Sequence, residues 1–130
     1  MQIETLAAIV FALVAAGVIA FQLALALGAP WGAYAMGGAF PARFPPAMRV
    51  AAVIQAAIIA LLGLAVLSAA GLILPELATA LPWLAWVAVA ISGLGVALNA
   101  ISRSAGERRI WVPVSIVMLA ASLVVVIAPR

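Results

Sequence analysis

The chain contains no cysteine, no histidine, no lysine and no aspartate. Each gap closes off chemistry. Without cysteine there is no disulfide and no thiolate nucleophile or metal ligand. Without histidine as well, zinc-type ligation is excluded. The acid–base groups left are Glu4, Glu76, Glu107 and Tyr34. No two of these carboxylates share an expected side and depth, so catalysis has little to stand on, and no metal or cofactor is implied. Charge is scarce too, at 7% of residues, against about a quarter in an ordinary soluble domain. The basic balance comes from six arginines against three glutamates. They form no basic run with aromatics interleaved, as nucleic-acid binding would require, so no nucleic-acid partner is expected.

What the chain has instead is apolar surface. With 70% hydrophobic residues over 130 positions, a soluble domain could not hide its apolar side chains, because small folds leave a large fraction of surface exposed. Lipid must be the solvent for most of it. Four apolar blocks, at about 3–27, 48–72, 81–101 and 106–127, each reach the ~20 residues that cross a bilayer. The expected fold is all-α, a bundle of four transmembrane helices forming one domain over residues 1–130. The N-terminal run lacks a basic n-region and exceeds the usual signal-peptide length, so it reads as a retained first helix.

The links carry the remaining polarity. Gly28-Ala29-Pro30 ends helix one. The long segment that follows, to Pro46, has one charge and four aromatics, too apolar for solvated disorder. It is expected to lie in the interface or fold back over the helix ends, since irregular backbone at membrane depth must be covered. The link around Pro75, Glu76 and Thr79 is short, and Pro82 suits the first turn of helix three. Ser104 with Glu107 matches a capping box at the start of helix four. Pro113, inside that helix, is expected to kink it.

Arg43, Arg49, Arg103, Arg108 and Arg109 all fall in or beside the first and third links. Such a bias in short loops marks the cytoplasmic side. The expected location is therefore the inner (plasma) membrane, multi-pass, with both termini outside the cytoplasm. Arg43, Arg49, Arg108 and Arg109 are expected to contact anionic lipid headgroups.

Polar side chains inside a membrane are candidates for function. From the 1.5 Å rise per residue, Gln22 and Gln55 lie roughly 10 Å and 7 Å from the centres of their helices, and Asn99 about 12 Å, all toward the arginine end. On helix three, Ala85, Ala88, Ser92, Gly95, Asn99 and Arg103 form one small-to-polar stripe. One reading is a water-accessible vestibule lined by Gln22, Gln55, Asn99, Arg103 and Glu107, with Trp31 and Tyr34 supplied by the link above. The other is that each amide bonds a neighbouring helix, while Arg103 and Glu107, four apart, pair on a surface. A further face, Ala52, Ala56, Ala60 and Gly63, has the small-residue spacing of close helix packing, inside the monomer or across a homo-oligomer seam.

Gly28-Ala-Pro-Trp-Gly32, Gly37-Gly38, Pro46 with Arg49, and Asn99 with Ser102 and Ser104-x-x-Glu107-Arg108-x-x-Trp111-x-Pro113 together resemble a family of uncharacterised bacterial four-helix membrane proteins. The resemblance spans nearly the whole chain and implies a bacterial inner membrane and no known activity. The pattern departs from the small multidrug exporters, whose first helix carries a mid-membrane glutamate, and from the small fluoride channels. Function is thus expected to be binding or transport of a small amphiphilic or anionic ligand in a cytoplasmic-side vestibule. The alternative is an accessory membrane subunit acting through helix packing and partner docking, with membrane lipids as neighbours in either case.

Overall fold

In the computed structural model, which describes residues 2–129, the chain is all-helical, with no strand among those residues. Five α-helices follow in order: α1 (Ile3–Ala26), α2 (Pro46–Ala69), α3 (Pro75–Ala80), α4 (Leu84–Ala100) and α5 (Ala105–Ile127). Helices α1, α2 and α5 are long and apolar enough to cross a membrane. At 24, 24 and 23 residues they would run about 35 Å, beyond the ~30 Å hydrocarbon core. Helix α4 has 17 residues and would run about 25 Å.

The boundaries have local causes. Helix α2 starts two residues before the expected position, because Pro45 is extended and Pro46 occupies the first turn, where a missing N–H costs nothing. Helices α1 and α2 both end in Schellman turns. Gly28 (φ 101°) and Gly71 (φ 78°) take the left-handed position. Ala29 N–H bonds Ala24 O, and Leu72 N–H bonds Leu67 O, closing the wider loop of each motif.

Two expectations need correction beyond α2. The link before the third long helix is not bare, since Pro75–Ala80 forms α3. Leu81 belongs to its end, donating its N–H to Leu77 O at 2.8 Å. The next helix therefore begins at Leu84 rather than at 81, with Trp83 as its N-cap. Leu74, held at φ 41°, makes the sharp entry into α3, and the buried Ser68 hydroxyl donates to its carbonyl at 2.8 Å.

The four longer helices pack neighbour to neighbour: α1 on α2 and α5, and α4 on α5 and α2. Most of the core sits at the end away from the arginines. There Phe11 and Ala15 of α1, Leu62 and Val66 of α2, Ala85 and Ala88 of α4, and Met118 and Val125 of α5 form one cluster. Alanines let the backbones approach, which supplies the close packing that drives helix association in lipid. A second cluster, Leu25, Ala35, Phe44 and Ala52, joins α1, the long link and α2 at the arginine end. Of the expected small-residue face, Ala52, Ala56 and Gly63 are buried but Ala60 is exposed. Its step of eight residues from Ala52 rotates it about 80° away on the helical wheel. Helix α5 runs from Ala105 to Ile127 through Pro113.

Candidate functional site

Between the two clusters the helices leave a cavity of about 440 Å³ at the arginine end. The wall is graded. Ile59, Leu62, Ile91 and Met118 line it toward the core, and Gln22, Gln55, Asn99, Ser102 and Glu107 line it toward the link. That size falls within the range of small-molecule pockets, which are mostly apolar with a few convergent polar groups.

The long link covers part of the top, where Tyr34, Ala35, Met36 and Gly37 line the cavity. Two short 3-10 turns, Gly32–Tyr34 and Met36–Gly38, carry it across the mouth. Gly32 is buried under the returning chain, donating its N–H to Ala42 O at 3.0 Å. A Cβ there would lie 1.6 Å from Phe40 O, so only glycine fits. The link is then fastened to the start of α5 at three points. Gly37 N–H donates to Glu107 Oε2 at 2.9 Å, the Ser104 hydroxyl donates to Ala33 O, and Trp111 Nε1–H donates to Tyr34 O at 2.7 Å.

Ser104 Oγ also accepts the Glu107 N–H at 3.1 Å, which is the N-cap half of the expected capping box. The other half does not form. The Ser104 N–H is taken by Ser102 Oγ at 3.1 Å, and the Glu107 carboxylate turns inward to Gly37 instead. Glu107 is consequently buried, at 7% exposure, rather than paired with Arg103 on a surface.

The ring of Phe21 lies 4.7 Å from that of Trp111, tilted by 56°, and 6.2 Å from that of Trp31, nearly parallel. Asn99 Nδ2 approaches both Trp111 O and Ser115 Oγ at 3.4 Å, long for such bonds. Its donor side is thus loosely committed to α5. Gln22 and Gln55 have no protein hydrogen-bond partner among the described residues. Ser92 Oγ is buried without a partner and its residue lines the same cavity. Buried hydroxyls are nearly always satisfied, and among the described residues this one is the exception.

Of the expected ligand-contacting residues, the structure brings Gln22, Tyr34, Gln55, Asn99 and Glu107 onto one cavity. Two do not line it. Trp31 is 46% exposed and stacks on Phe21. Arg103 is exposed, because α4 ends at Ala100 and helical periodicity no longer aims the side chain at 103. Its neighbour Ser102 lines the cavity in its place. Arg43 and Arg109 are exposed. Arg49 donates to Phe44 O at 2.8 Å, and Arg108 donates to Ser102 O. The residues missed are Phe21, Ser92 and Trp111. Ser92 was marked by its place on the stripe through Gly95 and Asn99, and Trp111 by its step of four from Glu107.

No family model matches the chain, and neither a curated protein nor a solved structure matches it.

Proposed function

We propose that the chain is a four-span membrane protein of the bacterial inner membrane that binds, for transport or presentation, a small amphiphile in a vestibule on the cytoplasmic side. The observation that carries this reading is the cavity itself, with Ile59, Leu62, Ile91 and Met118 toward the core and the Gln22, Gln55, Asn99 and Glu107 side chains toward the link. An apolar hole stays empty and a polar one fills with water. A wall graded along its length suits a molecule with a tail and a head.

The membrane assignment is supported by the three long apolar helices. For α4, Pro82 and Trp83 extend the apolar path, and Trp83 and Trp86, both more than half exposed, suit the headgroup level. Arginines 43, 49, 103, 108 and 109 all lie at the cavity end, which the positive-inside bias assigns to the cytoplasm. As sequence features they suit an anionic ligand as well; with no arginine among the described residues of the cavity wall, the amphiphile is the better reading.

The test is native mass spectrometry of protein purified in mild detergent, alongside Gly95→Leu. Gly95 lines the cavity, and a Cβ there meets nothing closer than Ser115 Cβ at 3.7 Å, so the longer side chain fills the void. A small molecule retained by the wild type and lost from Gly95→Leu is the expected result. Equal retention by both proteins, or none by either, would remove the proposal.

A further inference from the structure

Among the described residues, the one charged side chain on the cavity wall is Glu107. Glu107 as a residue is 7% exposed, and its carboxyl has one protein partner, the Gly37 N–H, leaving most of its acceptor positions free. The arginines nearby are turned elsewhere. Arg108 is held by the Ser102 carbonyl and Arg49 by the Phe44 carbonyl, and Arg103 is exposed. A buried carboxylate without a counter-ion is costly, and an opposite charge brought by a ligand would offset that cost.

Aromatic faces gather at the same place. Trp111 is four residues from Glu107, hence on the same side of α5, and Phe21 packs 4.7 Å from it. The Tyr34 ring lies directly against the backbone at Gly106, where an added Cβ would sit 2.5 Å from Cε1. All three rings belong to residues of the cavity wall. The negative faces of such rings attract organic ammonium groups, most strongly when water is excluded, and they repel anions.

We propose that the ligand is a positively charged amphiphile, an organic ammonium whose head lies between Glu107 and the rings of Phe21, Tyr34 and Trp111. Its tail runs toward Ile59, Ile91 and Met118. This rests on the amphiphile-binding reading and adds the sign of the head. Hydrogen-bond acceptors at Gln22 and Gln55 along the wall suit the N–H or hydroxyl groups such a molecule carries.

Three probes of one shape separate charge from fit: benzyltrimethylammonium, its uncharged isostere neopentylbenzene, and the anion phenylmethanesulfonate. Binding of each is measured by calorimetry on the full chain in a neutral maltoside detergent. The cation is expected to bind about tenfold or more tightly than the neutral isostere, and the anion not at all. Glu107→Gln keeps an acceptor for the Gly37 N–H and removes the charge, so it should abolish most of that preference and leave neopentylbenzene unaffected. Tyr34→Leu, which retains the backbone carbonyl that Trp111 uses, should weaken the cation alone. Equal affinity for cation and neutral isostere in the wild type would overturn the ammonium assignment and leave amphiphile binding standing. Failure of all three probes to bind would overturn both.

Discussion

The Gly37 N–H and Glu107 Oε2 meet at 2.9 Å although the residues are 70 apart in sequence. The bond joins the link above the cavity to the carboxylate on its wall. Gly37 reaches it from a left-handed conformation, φ 67°, with Met36 beside it at φ 52°, a position that strains a residue with a side chain. The Glu107 carboxylate is one anchor of this path. Glu107→Ala removes that anchor and is expected to lower unfolding stability by about 1–3 kcal/mol, the penalty for orphaning a buried donor. Glu107→Gln keeps the bond and removes the uncompensated charge, so its stability should equal or exceed wild type. Thermal unfolding of both variants in the same detergent distinguishes them, and equal losses would show that charge, not the bond, holds the link.

Ser92→Ala tests the one buried hydroxyl without a partner among the described residues. Its oxygen is buried and unpartnered, so deleting it should stabilise the ligand-free chain by about 1 kcal/mol. A loss of stability in the ligand-free protein would mean that the hydroxyl already has a partner.

Two glycines provide a signed comparison. At Gly32 an added methyl meets the Phe40 carbonyl oxygen at 1.6 Å, whereas at Gly17 nothing lies within 4 Å. Gly32→Ala should cost on the order of 3 kcal/mol, as overpacking against backbone does. Gly17→Ala, inside helix α1, should gain about 0.5–1 kcal/mol from helix propensity. Chemical-denaturant or thermal midpoints read both, and a neutral Gly32→Ala would refute the close crossing of the link.

Ser104 serves two elements at once, accepting the Glu107 N–H and donating to Ala33 O. Loss of an N-cap alone costs about 1 kcal/mol. Ser104→Ala should exceed that figure, because the link loses a fastening as well. Ser104→Asp restores the acceptor but not the donor and should recover only part of the loss. Full recovery would assign the whole effect to the cap.

Because the chain has no cysteine, single substitutions report orientation without background. Thr79 and Ala105 are both exposed and lie on opposite sides in the proposed topology. With a membrane-impermeant maleimide on intact cells, Thr79→Cys should label and Ala105→Cys should label only after permeabilisation. The reverse pattern would place the cavity mouth outside the cytoplasm.

The apolar blocks and the depth of the amides could be read directly, since both follow from counting residues along a helix at a fixed rise. That is why Gln22, Gln55 and Asn99, on separate helices, were placed together. The errors fall where helical counting stops. Arg103 lies past the end of α4 at Ala100, where the spacing of the stripe no longer sets direction, and Trp31 lies in the irregular link, where no periodicity sets one. The inward turn of Glu107 depends on Gly37, a partner no local pattern names. The capping-box motif was half right because Ser102 competes for one of its two bonds. Ala60 shows the same limit on a smaller scale: four-residue steps drift around a helix, and the drift decides which side faces the neighbour.

The uneven distribution of packing, dense near Phe11 and Val125 and hollow near Gln55 and Asn99, makes the molecule mechanically asymmetric. At the hollow end the α1–α2 hairpin is tied to α5 through the link, by the Gly37, Ser104 and Trp111 bonds. In the proposed membrane orientation, breaking those fastenings would leave the two hairpins joined at the dense end, and the width of the vestibule would then answer to the lateral pressure of one leaflet.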